Sequence, residues 1–145
     1  MNKFKLEKLL THRRWIEEKK ERELAEVVVQ LNKEDQKLDS YRSLENKYQG
    51  MLNDRQIKGT TALENNLYAV FLTQLSTRIK AQQEILVQVK SQVDQKREEL
   101  LITLKDRKLL EKLKEKKNLL FKKDLLIKDR KFLDELGVNK FNQKQ

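Results

Sequence analysis

The chain has 145 residues, a formal net charge of +10 and 39% charged residues, but only 6% aromatic ones. It contains no Cys, no Pro, one His and three Gly. Such a composition excludes disulfides and thiolate chemistry, offers no obligatory helix breaker and supplies too few apolar residues for a compact core.

Lys, Glu, Leu, Gln and Arg dominate the sequence. All are good helix formers, so long helices with a thin apolar seam are expected. The opening "MNKFKLEKLL" has no long apolar run. Neither a signal peptide nor a transmembrane span fits, and a cytoplasmic protein is expected.

The first helix is expected over about residues 3–55. Leu24, Leu31, Leu38 and Leu52 share a seven-residue repeat, with Glu45 as its polar member. Gly50 is a weak point within it, and the helix either ends there or continues to about Ile57. The main break lies in "NDRQIKGTTALENN", residues 53–66, with the turn at about 53–61. There Thr61 and Glu64 have capping-box spacing, which starts the second helix at about Ala62. Leu72, Ile79, Leu86, Val93 and Leu100 then form one seven-residue series. Leu75 and Val89 belong to a companion series whose polar members are Gln82, Lys96 and Thr103. Such a period specifies a left-handed coiled coil, and the polar members fix its register. In "FLDELGVNKF" Gly137 is a stop signal, with Val138 folding back on Leu133. The second helix is expected over about 62–136, with a short tail over 137–145.

Two long helices and a short turn predict an all-α fold, an antiparallel coiled-coil hairpin in a single domain spanning 1–145. At ~1.5 Å per residue the arms measure roughly 75 and 110 Å. Pairing outward from the turn brings Phe4 near the level of residue 112. About 25 residues of the second helix then overhang with an uncovered apolar stripe.

The charge is uneven. Residues 1–22 hold eight basic and four acidic side chains, net +4. Residues 23–104 hold eleven and twelve, net −1, and residues 105–145 hold fourteen and seven, net +7. Both basic segments belong to the open end of the hairpin, which fits an acidic surface with apolar contacts. Little chemistry is offered elsewhere. His12 has no second His or Cys at ligand spacing, so no metal is expected. The carboxylates alternate with Lys and Arg at helical spacing, as in "EEKKERELAE", and read as a solvated, ion-paired face. No catalysis and no cofactor are expected.

Three stretches give the chain a family likeness: "FKLEKLLTHRR" at the start, "KREELLITLKDRKLLEKLKEKK" at 96–117, and "KFLDELGVNKF" at 131–141. In this order and at this length they resemble the flagellar type III export protein FliJ family. The first carries Phe4, Leu6, Leu9, Leu10 and Arg13 of the family's opening; the second its basic block; the third its "LDE" ending. The resemblance implies a non-enzymatic coiled-coil stalk that supports flagellum assembly and motility. It implies a cytoplasmic protein, peripherally associated with the inner-membrane export apparatus at the flagellar base. Its implied partners are the export ATPase hexamer (FliI-like), the cytoplasmic domain of the export gate (FlhA-like) and export chaperones.

Carried onto this sequence, the ATPase contact falls at the open end. On the first arm it takes Phe4, Arg13 and Arg14. On the second it takes Arg107, Lys108, Lys112, Lys114, Lys116, Lys117 and Phe121. The gate contact implied by the resemblance falls toward the turn, on Tyr41, Leu44 and Tyr48 and on Phe71, Leu75, Arg78 and Gln82. Each of these two sets has helical spacing and forms one stripe. Tyr41, Tyr48 and Leu75 also fit the heptad seam, so a structural role stays open for them. Arg78 and Gln82 depart from the small residue and the His of the family pattern. Trp15 reads equally as a partner anchor or as a cover for the seam beside Ile16. Phe121 and Phe132 on the overhang read as partner-facing.

Three alternatives stand beside this reading. One is the equivalent stalk of a virulence injectisome. A second is nucleic-acid binding through the net charge, although no base-reading module and no stacking platform is present. The third is peripheral binding of anionic membrane by the Lys residues and "LLF" of the overhang.

Overall fold

The computed structural model describes residues 3–144. Helix α1 spans Lys3–Lys58 and helix α2 spans Ala62–Lys144, with no strand among the described residues. The two helices pack against each other as an all-α hairpin. Among the described residues no helix is long and apolar enough to cross a membrane.

The turn is made by residues 59–61. Gly59 has a φ of 101°, the left-handed conformation that Gly adopts without the steric cost borne by other residues. The Glu64 amide donates to the Thr61 hydroxyl at 3.2 Å, and the Asn65 amide donates to the Thr61 carbonyl at 3.1 Å. The first satisfies one of the orphan donors at the start of α2, and the second is the first regular bond of the helix, accepted by its cap residue. The Glu64 carboxylate accepts from the Thr60 hydroxyl at 3.1 Å. The expected cap is therefore present, with Thr60 engaging the Glu64 side chain.

Both helices run further than their sequence signals implied. α1 passes through Gly50 and ends at Lys58, one residue past the longer of the two ends read for it. α2 passes through Gly137 to Lys144 rather than stopping at about 136. A helical Gly costs about 1 kcal/mol relative to Ala. That penalty is smaller than the cost of ending a helix where no Pro follows and no partner waits for the freed carbonyls. Gly59 differs because the chain must reverse there.

The chain divides into two compact units, residues 18–101 and residues 1–17 with 102–145. In the first unit the predicted seam positions are all covered. Leu38, Ile79 and Leu86 form a buried cluster with Leu31 and Tyr41 against it. Leu75, Val89 and Val93 are also buried. Gln82, only 3% exposed, donates from Nε2 to the Glu34 carbonyl at 2.9 Å and also to the Glu34 carboxylate. A buried amide needs such partners, and the requirement fixes one register of the arms, as its place in the seam predicts.

The same unit holds a four-residue charge cluster. Lys20 reaches Glu99 at 3.1 Å and Glu23 at 3.5 Å; Lys96 reaches Glu23 at 3.2 Å and Glu99 at 3.4 Å. A hydrogen bond from Lys96 holds the Glu23 carboxyl below its ordinary value, and one from Lys20 does the same for Glu99. The two ammonium groups are raised in turn by the hydrogen bonds they donate to Glu99 and Glu23. Lys20 also belongs to a second seven-residue series of α1, which continues through Val27, Glu34, Tyr41 and Tyr48. Every member is half-buried. Its polar members Lys20 and Glu34 hid all of it but Tyr41 and Tyr48 from the periodicity reading.

In the other unit Leu6 and Leu10 are buried, and α1 is tied to α2 largely by ion pairs. Glu7 meets Lys114 at 3.3 Å, Arg13 meets Asp106 at 3.4 Å and Arg14 meets Glu111 at 3.7 Å. Arg107 donates to Glu17 and, at 2.7 Å, to Glu111. From Asn118 to Phe141 every side chain of α2 is exposed. The uncovered stretch is real, and it begins about a turn and a half later than the pairing estimate placed it.

Candidate functional site

Two surfaces carry the predicted contact residues, one in each unit. The first lies near the turn. Tyr48 of α1 and Phe71 of α2 are in ring contact, with centroids 4.6 Å apart and planes tilted by 59°. Beside them lies a cleft of about 370 Å³ lined by Tyr48, Arg55, Glu64, Leu67, Tyr68 and Phe71. Its walls are aromatic and aliphatic, with one base and one acid at the rim.

The seven residues placed here by resemblance divide in two. Leu75, 2% exposed, and Gln82 are buried in the seam, and Tyr41 packs on its core cluster. Leu44, Phe71 and Arg78 are exposed, and Tyr48 is half-buried under Phe71. A partner approaching this face meets Leu44, Tyr48, Phe71 and Arg78. The stripe spacing alone could not make that division, because a helical stripe of this width includes both the seam edge and the flank. Arg55, Leu67 and Tyr68 were missed. The available signal was Leu67 at four residues before Phe71, which puts the two on one face.

The second surface is the basic end. Here too the predicted residues separate by their partners. Arg13, Arg14, Arg107 and Lys114 are engaged in ion pairs between the helices. The Arg107 guanidinium is raised by its hydrogen bonds to Glu111 and Glu17, and Glu111 is lowered by Arg107. Lys108, Lys112 and Lys116 are exposed and Lys117 is half-buried. Phe121 is 65% exposed. Phe4 lies outside the described side chains. Trp15 is exposed, with the His12 ring stacked at 6.1 Å, so it is not a seam cover.

Past residue 118 the apolar side chains stand in three rows. Leu119, Leu126 and Leu133 form one, Leu120 and Ile127 a second, and Phe121, Leu125, Phe132 and Leu136 a third. All are exposed. At ~100° per residue the rows are roughly a third of a turn apart, so they surround the helix. The third row continues the face paired with α1, since Arg107, Lys114 and Phe121 are spaced by sevens. No group of His, Cys, Asp and Glu that could hold a metal occurs among the described residues.

The family model described as "Flagellar FliJ protein" matches residues 2–145. The chain belongs to the FliJ family. No curated protein and no solved structure gives a match. Family membership makes this a flagellar export-related coiled-coil protein, within type III secretion. The FliJ family is a non-enzymatic, chaperone-like component of that machinery. Its partners are flagellar export proteins.

Proposed function

We propose that this FliJ-family protein is the stalk that joins an export ATPase ring to the membrane export gate. The single observation that carries the reading is the apolar residues on every side of the helix at 118–141. A helix lying on one surface needs one apolar stripe. A helix with three rows is suited to a partner that encloses it, as a hexameric ring does. The free ammonium groups of Lys108, Lys112, Lys116 and Lys117 stand just before the enclosed stretch and suit an acidic rim. Leu44, Tyr48, Phe71 and Arg78 near the turn form the gate contact on the same reading. Export chaperones are further partners, and the protein works peripherally at the flagellar base.

The test is co-purification with the cognate export ATPase, followed by ATP hydrolysis assays. The intact protein is expected to bind the ATPase. Reversing Lys108, Lys112, Lys116 and Lys117 to Glu should weaken that binding at least tenfold and flatten its salt dependence. Phe71→Ala should weaken binding of the gate's cytoplasmic domain and spare the ATPase. Failure of the intact protein to bind the ATPase overturns the reading. Loss of gate rather than ATPase binding on the Lys reversals overturns the assignment of the two ends.

A further inference from the structure

Along α2, outside the pairing with α1, runs a row of exposed apolar residues that begins well before the overhang and that the hairpin does not cover. It consists of Ile102, Leu109, Leu113, Leu120 and Ile127, each at least 40% exposed. The steps are 7, 4, 7 and 7 residues. That spacing averages close to 3.6 residues per turn, so the row stays straight on an uncoiled helix. The α2 face paired with α1 is a different one. It carries Thr103, Arg107, Leu110 and Lys114, all buried or half-buried, roughly a third of a turn away.

Three residues after each member of the row stands a base: Lys105, Lys112, Lys116, Lys123 and Arg130. Residues three apart are neighbours on a helix, so the bases form an edge parallel to the apolar row. All five are exposed, and none makes an ion pair among the described residues. The opposite edge, four residues after the row, is mixed, with Asp106, Lys117, Asp124 and Lys131.

We infer that this row is a docking face for an acidic amphipathic helix of a partner protein. The row offers apolar knobs at the spacing a second helix presents. The basic edge fits Asp and Glu flanking the partner's own apolar stripe. Asp124, exposed on the mixed edge, decides against a flat anionic surface, which would press on it as well as on the bases; Asp106 is taken up by Arg13. The mixed edge also decides the sidedness of the partner's charge. Two copies of this face would meet with like charge, since residues 105–145 carry net +7. The inference does not rest on the ring reading, although Lys112 and Lys116 of the basic edge also belong to the rim contact proposed there. Leu120 and Ile127 serve both, so a docked helix and an enclosing ring compete there.

The experiment uses the full chain and synthetic helical peptides in fluorescence anisotropy. One peptide has a Leu row edged by Glu, one the same row edged by Lys, and one a scramble of the first. The Glu-edged peptide should bind at least tenfold more tightly than either of the others. Lys105→Glu with Lys123→Glu leaves three bases against two acids on that edge and should sharply reduce the preference for the Glu-edged peptide. Ile102→Gln with Leu109→Gln should abolish binding of both edged peptides while leaving helicity and ATPase co-purification unchanged; these positions lie outside the overhang. Equal binding of the edged and scrambled peptides overturns the inference, as does a preference unmoved by the reversals. Sedimentation with phosphatidylglycerol vesicles that depends on the row, without peptide binding, assigns the face to membrane. Self-association lost in the Gln variant assigns it to a second copy.

Discussion

Residues 18–101 and residues 118–141 have similar helical character and opposite fates. In the first region each arm covers the other, and Leu38, Leu75, Leu86 and Val93 are buried. In the second, Leu, Ile and Phe at comparable spacing are all exposed. The charge follows the same division, −1 over residues 23–104 against +7 over 105–145. A heptad therefore does not by itself identify a core. What makes an apolar residue structural is a partner arm at its level, and what makes it available is that the arm has ended.

The largest expected effect tests that division directly. Leu75→Ala should cost about 2–5 kcal/mol by urea unfolding, as for a buried Leu in a well-packed site. Phe121→Ala should change stability by less than about 0.5 kcal/mol. Equal losses would mean that the overhang is covered within the protein itself.

Next in size is Gln82→Ala. It removes the bonds Gln82 gives to the Glu34 carbonyl and carboxylate and empties a buried seam position, and should cost about 1–3 kcal/mol in the same measurement. Gln82→Leu sharpens the point: it keeps the volume but removes the register signal, so spin-label distances between the arms should broaden. A smaller effect, about 1 kcal/mol, is expected for Thr61→Ala, which removes the acceptor of the Glu64 amide.

The smallest effect is the pH dependence of the Lys20, Glu23, Lys96 and Glu99 cluster, whose members are partly exposed and screened. Glu23 and Glu99 lie lower in the folded state. Their contribution is present above the ordinary carboxylate value, about 4.3, and is lost as pH falls through the lowered values. Lys20 and Lys96 lie higher in the folded state. Their contribution is complete below the ordinary Lys value, about 10.4, and is lost as pH rises through the raised values. Thermal midpoints should therefore be flat between those limits and fall on both sides. Replacing all four residues with Gln should remove that part of the curvature.

Much of this was legible in the sequence because it follows from local chemistry. The helix former content, the seven-residue series and the Thr61 cap need no distant partner to be read. The break between the helices and the start of α2 at Ala62 came from the same local signals. The charge partition is a property of the chain, and so is the family likeness, which the family model bears out over residues 2–145.

Other features depended on which groups meet across the arms, and only the tertiary structure decided them. Gly137 looks like a stop but lies within α2, because a local penalty of about 1 kcal/mol does not end a helix without a competing structure. Arg107 and Lys108 are adjacent and equally basic. One is held by Glu17 and Glu111 while the other is exposed and makes no ion pair among the described residues, a difference set by the facing arm. Leu75 and Phe71 share one stripe, yet the first is sealed in the seam and the second stands beside an open cleft. Sequence spacing determines the side of a helix on which a residue lies; the register and length of the opposite arm determine whether that side is covered.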